Sequence, residues 1–360
     1  MPRALMAVAP RTTELVEYDE PPLGDRDVRI RSEFAAPKHG TESHAYLDDQ
    51  RRLARRFHPE YRIFVPANGD AIGRPFPRRL GNMTVGTVTE VGGAVTRFKV
   101  GDRVYGHLPI RETHTVSEDG PRKSMAAGTR EQELHLVPPE LSPEQVVLLD
   151  PAHFALAAVR DADVRVGERV AVFGLGAIGL LIVQMALLSG AVTVYAVDPL
   201  PSRRARARRL GATACYDPAA CDVGLEIKQA TAGAGADVAI EVSGNYGALQ
   251  DAIRAVHYSG LVVTVSNYHG PGTALHLDEE WHLTRVTVRS SMPVWGNPSR
   301  DHPLWDDRRV EETALQLMRA GRLQSDGLVH PIVPFEQSAE AYHWIQDTPD
   351  RVVKLGIRFP

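Results

Sequence analysis

Residues 170–198, VAVFGLGAIGLLIVQMALLSGAVTVYAVD, restrict the fold more than any other part of this 360-residue chain. An apolar strand runs directly into Gly174-Leu175-Gly176-Ala177-Ile178-Gly179, an apolar helix follows, and a second apolar strand stops at Asp198. Each glycine has its own task in such a turn. The first permits the sharp reversal, the second lets a pyrophosphate approach the backbone, and the third allows close helix-strand packing. The start of the following helix offers free N–H groups to the phosphates. An acidic residue at the end of the second strand accepts ribose hydroxyls and repels a 2'-phosphate. The segment therefore predicts NAD binding, in preference to NADP, through Gly174, Gly176, Ala177, Ile178, Gly179 and Asp198. Arg203 and Arg204, which begin a helix close after Asp198, are the neighbours through which a 2'-phosphate would be tolerated.

The same alternation of apolar strands and helices continues through ADVAIEVSG and LVVTVSN, which implies a parallel sheet covered on both faces. Residues 1–105 read differently, as short strands such as DVRIRSEF (27–34) and MTVGTVTEV (83–91) punctuated by Pro and Gly. After residue 290 come a polar stretch, a helix near 308–320 and a closing strand at 352–359. The predicted organisation is a β-rich domain over 1–150, a nucleotide-binding domain over 151–291, and a return to the first domain over 292–360.

No apolar run approaches the roughly 20 residues a membrane helix needs, and the N-terminal stretch lacks the apolar core of an export signal. A cytoplasmic protein is expected. The net charge of −4 argues against nucleic-acid binding. Cys215 and Cys221 stand alone, so neither a disulfide framework nor a four-cysteine zinc site can be built.

Several segments in combination resemble the medium-chain dehydrogenase/reductase superfamily, in particular its zinc-type alcohol and polyol dehydrogenases. They are VTEVGGAVTRFKVGDRVYG (88–106), LLDPAHFALAAV (148–159), the glycine turn, RLGA (209–212), DVAIEVSG (237–244) and the end, from Ala339 to Lys354. The resemblance implies an α/β protein in which a doubly wound Rossmann domain joins a GroES-like β-barrel made from both chain ends. It also implies cofactor contacts at Ser243 and Lys354, and a homodimer or homotetramer. Zinc-dependent relatives carry a cysteine where this chain has His39, and a Gly-His-Glu triplet where it reads Gly81-Asn82-Met83. Asp150 holds the third ligand position. A catalytic zinc is thus not expected, with His44 and His153 as the imidazoles that would have to replace the lost ligands, and no structural zinc is expected at all.

Thr41 and His44 match the family's proton relay, in which a hydroxyl bonds the substrate oxygen and an imidazole passes the proton onward. Without a metal the substrate oxygen needs another electrophile, and Lys38 or His39 is placed for that task. Between Thr41 and Gly81 the chain is longer than expected for the family. The stretch DDQRRLARRFHPEYRIF predicts a short helix with Leu53 and Phe57 inward, its arginines free to hold an anionic substrate group. Trp295, His302 and Trp305 are candidates for a pocket wall. The functional expectation is an NAD-dependent, zinc-independent enzyme interconverting a secondary alcohol and a ketone on a polyol, cyclitol or sugar-like small molecule. Alternatives are a zinc-free enoyl or quinone reductase, an NAD-recycling lyase or epimerase, and a non-catalytic NAD-binding protein.

Overall fold

The computed structural model describes residues 1–47, 55–58, 60–66, 76–120, 133–268, 271–292 and 305–360. It divides into two compact units, Met1–Val147 with His330–Pro360, and Leu148–Val329.

The first unit is mainly β. Its largest sheet is built around the long strand Asp27–Ala36, which pairs antiparallel with Met83–Val91, Thr113–Ser117 and, from the far end of the chain, Gly356–Arg358. Alternation of buried and exposed residues along Asp27–Ala36 buries Val28, Ile30, Ser32 and Phe34 on one face. Two apolar clusters fill this unit, one around Val28, Val88 and Val104, the other around Leu5, Tyr46, Phe335 and Leu355. Tyr46 comes from the helix His39–Leu47, so that helix is anchored in the core by its last turn.

In the second unit six parallel strands lie in the order Ala214–Tyr216, Thr193–Val197, Arg169–Phe173, Ala236–Glu241, Val256–Thr264 and Thr287–Ser290. The order reverses between Arg169–Phe173 and Ala236–Glu241, and the crevice at such a reversal is where doubly wound sheets bind ligands. The central strands are buried on both faces, which explains their unbroken runs of Val, Ala and Ile.

Two expectations change. The return to the first unit comes at His330 and not near residue 292. Residues 305–329 stay with the second unit because the helix Asp307–Arg319 turns Val310, Ala314 and Met318 inward and packs on the helix Leu149–Asp161. The expected helix around Phe57 is also corrected. Arg55–His58 is a strand paired with Ile63–Pro66, and Phe57 meets Phe64 edge to face across the pair at 5.4 Å. A run of Ile63, Phe64 and Val65 favours extended pairing over a lone helical turn. Leu53, with Arg51 and Arg52, lies outside the described residues.

His153 ties the two packed helices together. Its Nε2 lies 2.8 Å from Asp307 Oδ1 and its Nδ1 3.4 Å from Glu311 Oε1. Burial disfavours the charged ring, but the bonds to the two carboxylates outweigh it and hold the His153 pKa above its ordinary value. A raised folded-state pKa adds stability that is complete below the ordinary histidine range and lost as pH rises through the raised value. Thermal unfolding should therefore show the protein weakening as pH rises from neutrality. Asp307→Asn should flatten that dependence and cost on the order of 1.5–3 kcal/mol at pH 6; an unchanged pH profile in the variant would refute the assignment.

Candidate active site

At the reversal point of the parallel sheet, the glycine turn is held by contacts that only glycine permits. Gly174 takes φ +93°, and a Cβ there would lie 2.9 Å from the Ser243 nitrogen. A Cβ on Gly179 would lie 1.8 Å from the Gly174 carbonyl oxygen. Gly176, by contrast, has nothing within 4 Å of its would-be Cβ. The outer glycines face protein and the middle one faces open space. Helix Ala177–Leu188 begins after Gly176 with no side-chain cap, so Ala177 and Ile178 contribute backbone N–H groups left for an anion.

Asp198 closes the cradle. It is 3% exposed, and its Oδ2 accepts from the Leu175 N–H while its Oδ1 accepts from the Leu200 N–H, both at 2.8 Å. The carboxylate is thus tied to the glycine turn itself. Arg203 stands 3.7 Å from Oδ2, and Arg204 donates to the Asp198 carbonyl at 2.7 Å while pairing with Asp217. A carboxylate has about four lone-pair sites, and the two left over suit ribose hydroxyls. Open middle glycine, free helix N–H groups and anchored carboxylate together fit a dinucleotide.

A residue that the sequence reading missed shapes the neighbouring loop. Glu241, at the end of its strand and fully buried, accepts from the Ser243 N–H at 2.7 Å, from the Ser243 and Tyr268 hydroxyls, and from the Gly244 N–H at 3.2 Å. Burial pushes its pKa up, against the opposing effect of these bonds. The loop that abuts Gly174 is therefore fixed by one carboxylate. Asp150 is also buried in this unit, in the first turn of Leu149–Asp161.

The first unit gathers the other candidates around the helix His39–Leu47. Glu42 is its organiser: the carboxylate accepts from the Lys38 N–H, from the Gly81 N–H at 2.8 Å and from the Tyr342 hydroxyl at 3.1 Å. His39 Nε2 accepts from the Leu355 N–H at 3.1 Å, which leaves Nδ1 as the ring's donor. Lys354, also in this unit, is buried and donates to the Pro37 carbonyl at 2.9 Å, bracing the entry to the helix. Asn82 follows Gly81, its N–H donating to Ala36 O at 3.2 Å. Thr41 is exposed on the helix, while the His44 side chain lies outside the described residues.

Similarity to known proteins agrees with this geometry. Residues 60–132 match the family described as alcohol dehydrogenase GroES-like domain, and residues 177–301 match zinc-binding dehydrogenase. D-guloside 3-dehydrogenase of Escherichia coli (strain K12) is 38% identical over 360 residues, covering 99% of this chain and 100% of the relative. The chain belongs to the medium-chain dehydrogenase/reductase superfamily. A second relative of this superfamily, (R,R)-butanediol dehydrogenase of Bacillus subtilis (strain 168), is 37% identical over 284 residues, 74% of this chain and 77% of the relative. The crystal structure of 2R,3R-butanediol dehydrogenase from Bacillus subtilis superposes with a TM-score of 0.74 at 26% identity, covering 99% of each chain. The protein is an alcohol or polyol dehydrogenase of the medium-chain type, with a Rossmann domain and a GroES-like domain.

Within this medium-chain dehydrogenase the structure brings Gly174, Gly176, Gly179, Asp198, Arg203 and Ser243 together in one unit, and Lys38, His39, Thr41 and Lys354 in the other. Trp305 lies beside the second-unit helices, with the Arg160 and Arg309 guanidinium groups 3.4 and 4.3 Å from its ring centre. Trp295 and His302 lie outside the described residues. Among the described residues one group of His, Asp and Glu is close enough to hold a metal, His153 with Asp307 and Glu311. The glycines make separable predictions. Gly176→Leu should keep the unfolding temperature of the parent but weaken nucleotide binding about tenfold or more, a cost of ~1.4 kcal/mol. Gly179→Ala should lower both, because its methyl group meets backbone. Calorimetric unfolding and nucleotide titration of the two variants check the distinction.

Proposed function

We propose that this enzyme is an NAD-dependent, zinc-independent dehydrogenase that oxidises a ring secondary hydroxyl of a glycoside to the ketone, or runs the reverse reduction. The observation that carries the cofactor assignment is Asp198, whose buried carboxylate is bonded to the Leu175 and Leu200 N–H groups. A 2'-phosphate brought beside it would meet like charge, while ribose hydroxyls would meet acceptors. The substrate class rests on chain-long similarity to a dehydrogenase named for the 3-position of D-gulosides.

Among the described residues, the first unit's donor set does not suit zinc. His39 commits Nε2 to the Leu355 N–H, Asn82 offers an amide and Met83 a buried thioether, whereas catalytic zinc takes three ligands of imidazole, thiolate or carboxylate type. NAD supplies the hydride acceptor when bound. The protein's own part is acid-base and positional. The Thr41 hydroxyl takes up the hydroxyl proton through a hydrogen bond and His44, in the same helix, passes it to solvent. Glu42 holds the start of that helix and Gly81 in fixed register.

Absorbance at 340 nm with methyl D-gulosides and D-glucosides tests the reading. Net NADH is expected, with none from the 3-deoxy analogue and no loss of rate after dialysis against a chelator. NAD retained through purification with no net NADH from any glycoside would favour a recycling lyase or epimerase instead. Asp198→Ala should shift the ratio of kcat/KM for NAD over NADP by ~10-fold or more toward NADP. An unchanged ratio would remove the basis for the NAD assignment.

A further inference from the structure

Glu241 spends its whole accepting capacity on two loops. A carboxylate has about four lone-pair sites, and four donors reach this one: the Ser243 N–H, the Ser243 hydroxyl, the Gly244 N–H and the Tyr268 hydroxyl. The first three belong to the loop that leaves the strand Ala236–Glu241, and the fourth to the loop that leaves the neighbouring strand Val256–Thr264. The residue is 0% exposed and has no acceptor left for a ligand. Whatever it does for one, it does through these loops.

The two loops also lock to each other and to the glycine turn. The Ser266 hydroxyl donates to the Val242 carbonyl, and a Cβ on Gly244 would lie 2.6 Å from the Asn267 carbonyl oxygen. On the other side, a Cβ on Gly174 would lie 2.9 Å from the Ser243 nitrogen. Three turns thus stand side by side at the ends of parallel strands that finish level, since Val197 pairs with Phe173, Phe173 with Glu241, and Glu241 with Thr264. Ser243 and Asn267 are exposed there, while the carboxylate is buried. All of this lies within the second unit.

The row of strand ends divides a dinucleotide in two. In the cofactor assignment above, Asp198 takes the adenosine ribose on one side of Arg169–Phe173, and the glycine turn takes the pyrophosphate. The strands Ala236–Glu241 and Val256–Thr264 lie on the other side of the reversal, so the nicotinamide half falls to the loops that Glu241 holds. We propose that Glu241 is a positioning residue for the nicotinamide half of the cofactor, acting through Ser243, Gly244 and Tyr268. The adenosine half is left to Asp198 and the glycine turn. This rests on the NAD binding proposed above.

Calorimetric titration of the full-length protein with NAD and with ADP, which lacks the nicotinamide half, tests this. Glu241→Gln keeps the side chain's size but turns an amide NH2 group toward donors that need an acceptor. Its dissociation constant for NAD should rise about tenfold or more, the scale of one hydrogen bond to a charged group, while that for ADP stays within about twofold of the parent's. Tyr268→Phe leaves the carboxylate in place and frees only the second loop, and the same split is expected at about threefold or more. Emission of bound NADH gives a second readout: in the parent it should lie to the blue of free NADH, and in Glu241→Gln it should move back toward the free position. Retention of the parent's NAD affinity in both variants overturns the proposal. Equal weakening of NAD and ADP overturns it as well, since that marks a general loosening of the sheet end. Should Glu241→Gln fail to fold, Tyr268→Phe decides alone. Failure of the parent to bind either nucleotide overturns the cofactor assignment instead, and with it this proposal.

Discussion

The nucleotide-binding unit depends on one close approach, that of Gly179 to the Gly174 carbonyl. With 1.8 Å between that oxygen and a would-be Cβ, no side chain of any size fits. This contact seats the start of helix Ala177–Leu188 on the strand Arg169–Phe173, which in turn brings the Leu175 N–H within 2.8 Å of Asp198 on the neighbouring strand. Strand order, helix placement and the acidic stop are linked through it. The open space at Gly176 follows from the same geometry, since a turn pulled inward at both ends bows outward at its middle.

How much of this was legible in sequence differs between the two units for a physical reason. A parallel sheet buried on both faces writes itself as continuous apolar runs, and a dinucleotide turn as glycines at fixed spacing, so the second unit's elements near Val170 and Asp198 read clearly. The strand Met83–Val91 was legible for a similar reason, its bulk being Val and Thr. The stretch around Phe57 was not. Leu53 and Phe57 have helical spacing, but four residues of it are too few to outweigh a cross-strand partner such as Phe64. The place where the chain returns to the first sheet was also hidden, because it is set by the packing of Asp307–Arg319 on Leu149–Asp161, a contact between residues about 150 positions apart.

Site residues divide along the same line. Gly174, Gly176, Gly179 and Asp198 are defined by local spacing and could be named from one segment. Glu42, Glu241 and Tyr268 are defined by what reaches them from elsewhere. Tyr342 donates to Glu42 across 300 residues, and Tyr268 to Glu241 across 27. A carboxylate in a run such as Gly-Thr-Glu-Ser-His looks like surface until its donors are known. Asn82 was visible as a departure from a family pattern, but that its Nδ2 has no hydrogen-bond partner among the described residues is a property of the packed state alone.

Glu42 and Glu241 show one solution used twice. Glu241 ends a strand and Glu42 lies in the first turn of a helix, yet each accepts the N–H of a glycine with positive φ, Gly244 at +72° and Gly81 at +108°. A tight reversal of this kind turns backbone N–H groups away from the sheet that would otherwise pair them, and in a buried setting each needs an acceptor. Water cannot serve where the site must stay dry, and a second strand cannot serve where the chain is turning. A carboxylate accepts from several directions at once, and three or more donors offset the cost of burying it. Tyr342 and Tyr268 complete the set, one for each carboxylate, and in both the neighbouring negative charge adds to burial in holding the phenol protonated and donating. The loops that carry Ser243 and Asn82 thus owe their positions to charge held inside the fold, and replacing either glutamate by a neutral residue of the same size would leave the glycine N–H groups with a weaker acceptor and the loop with less to hold it.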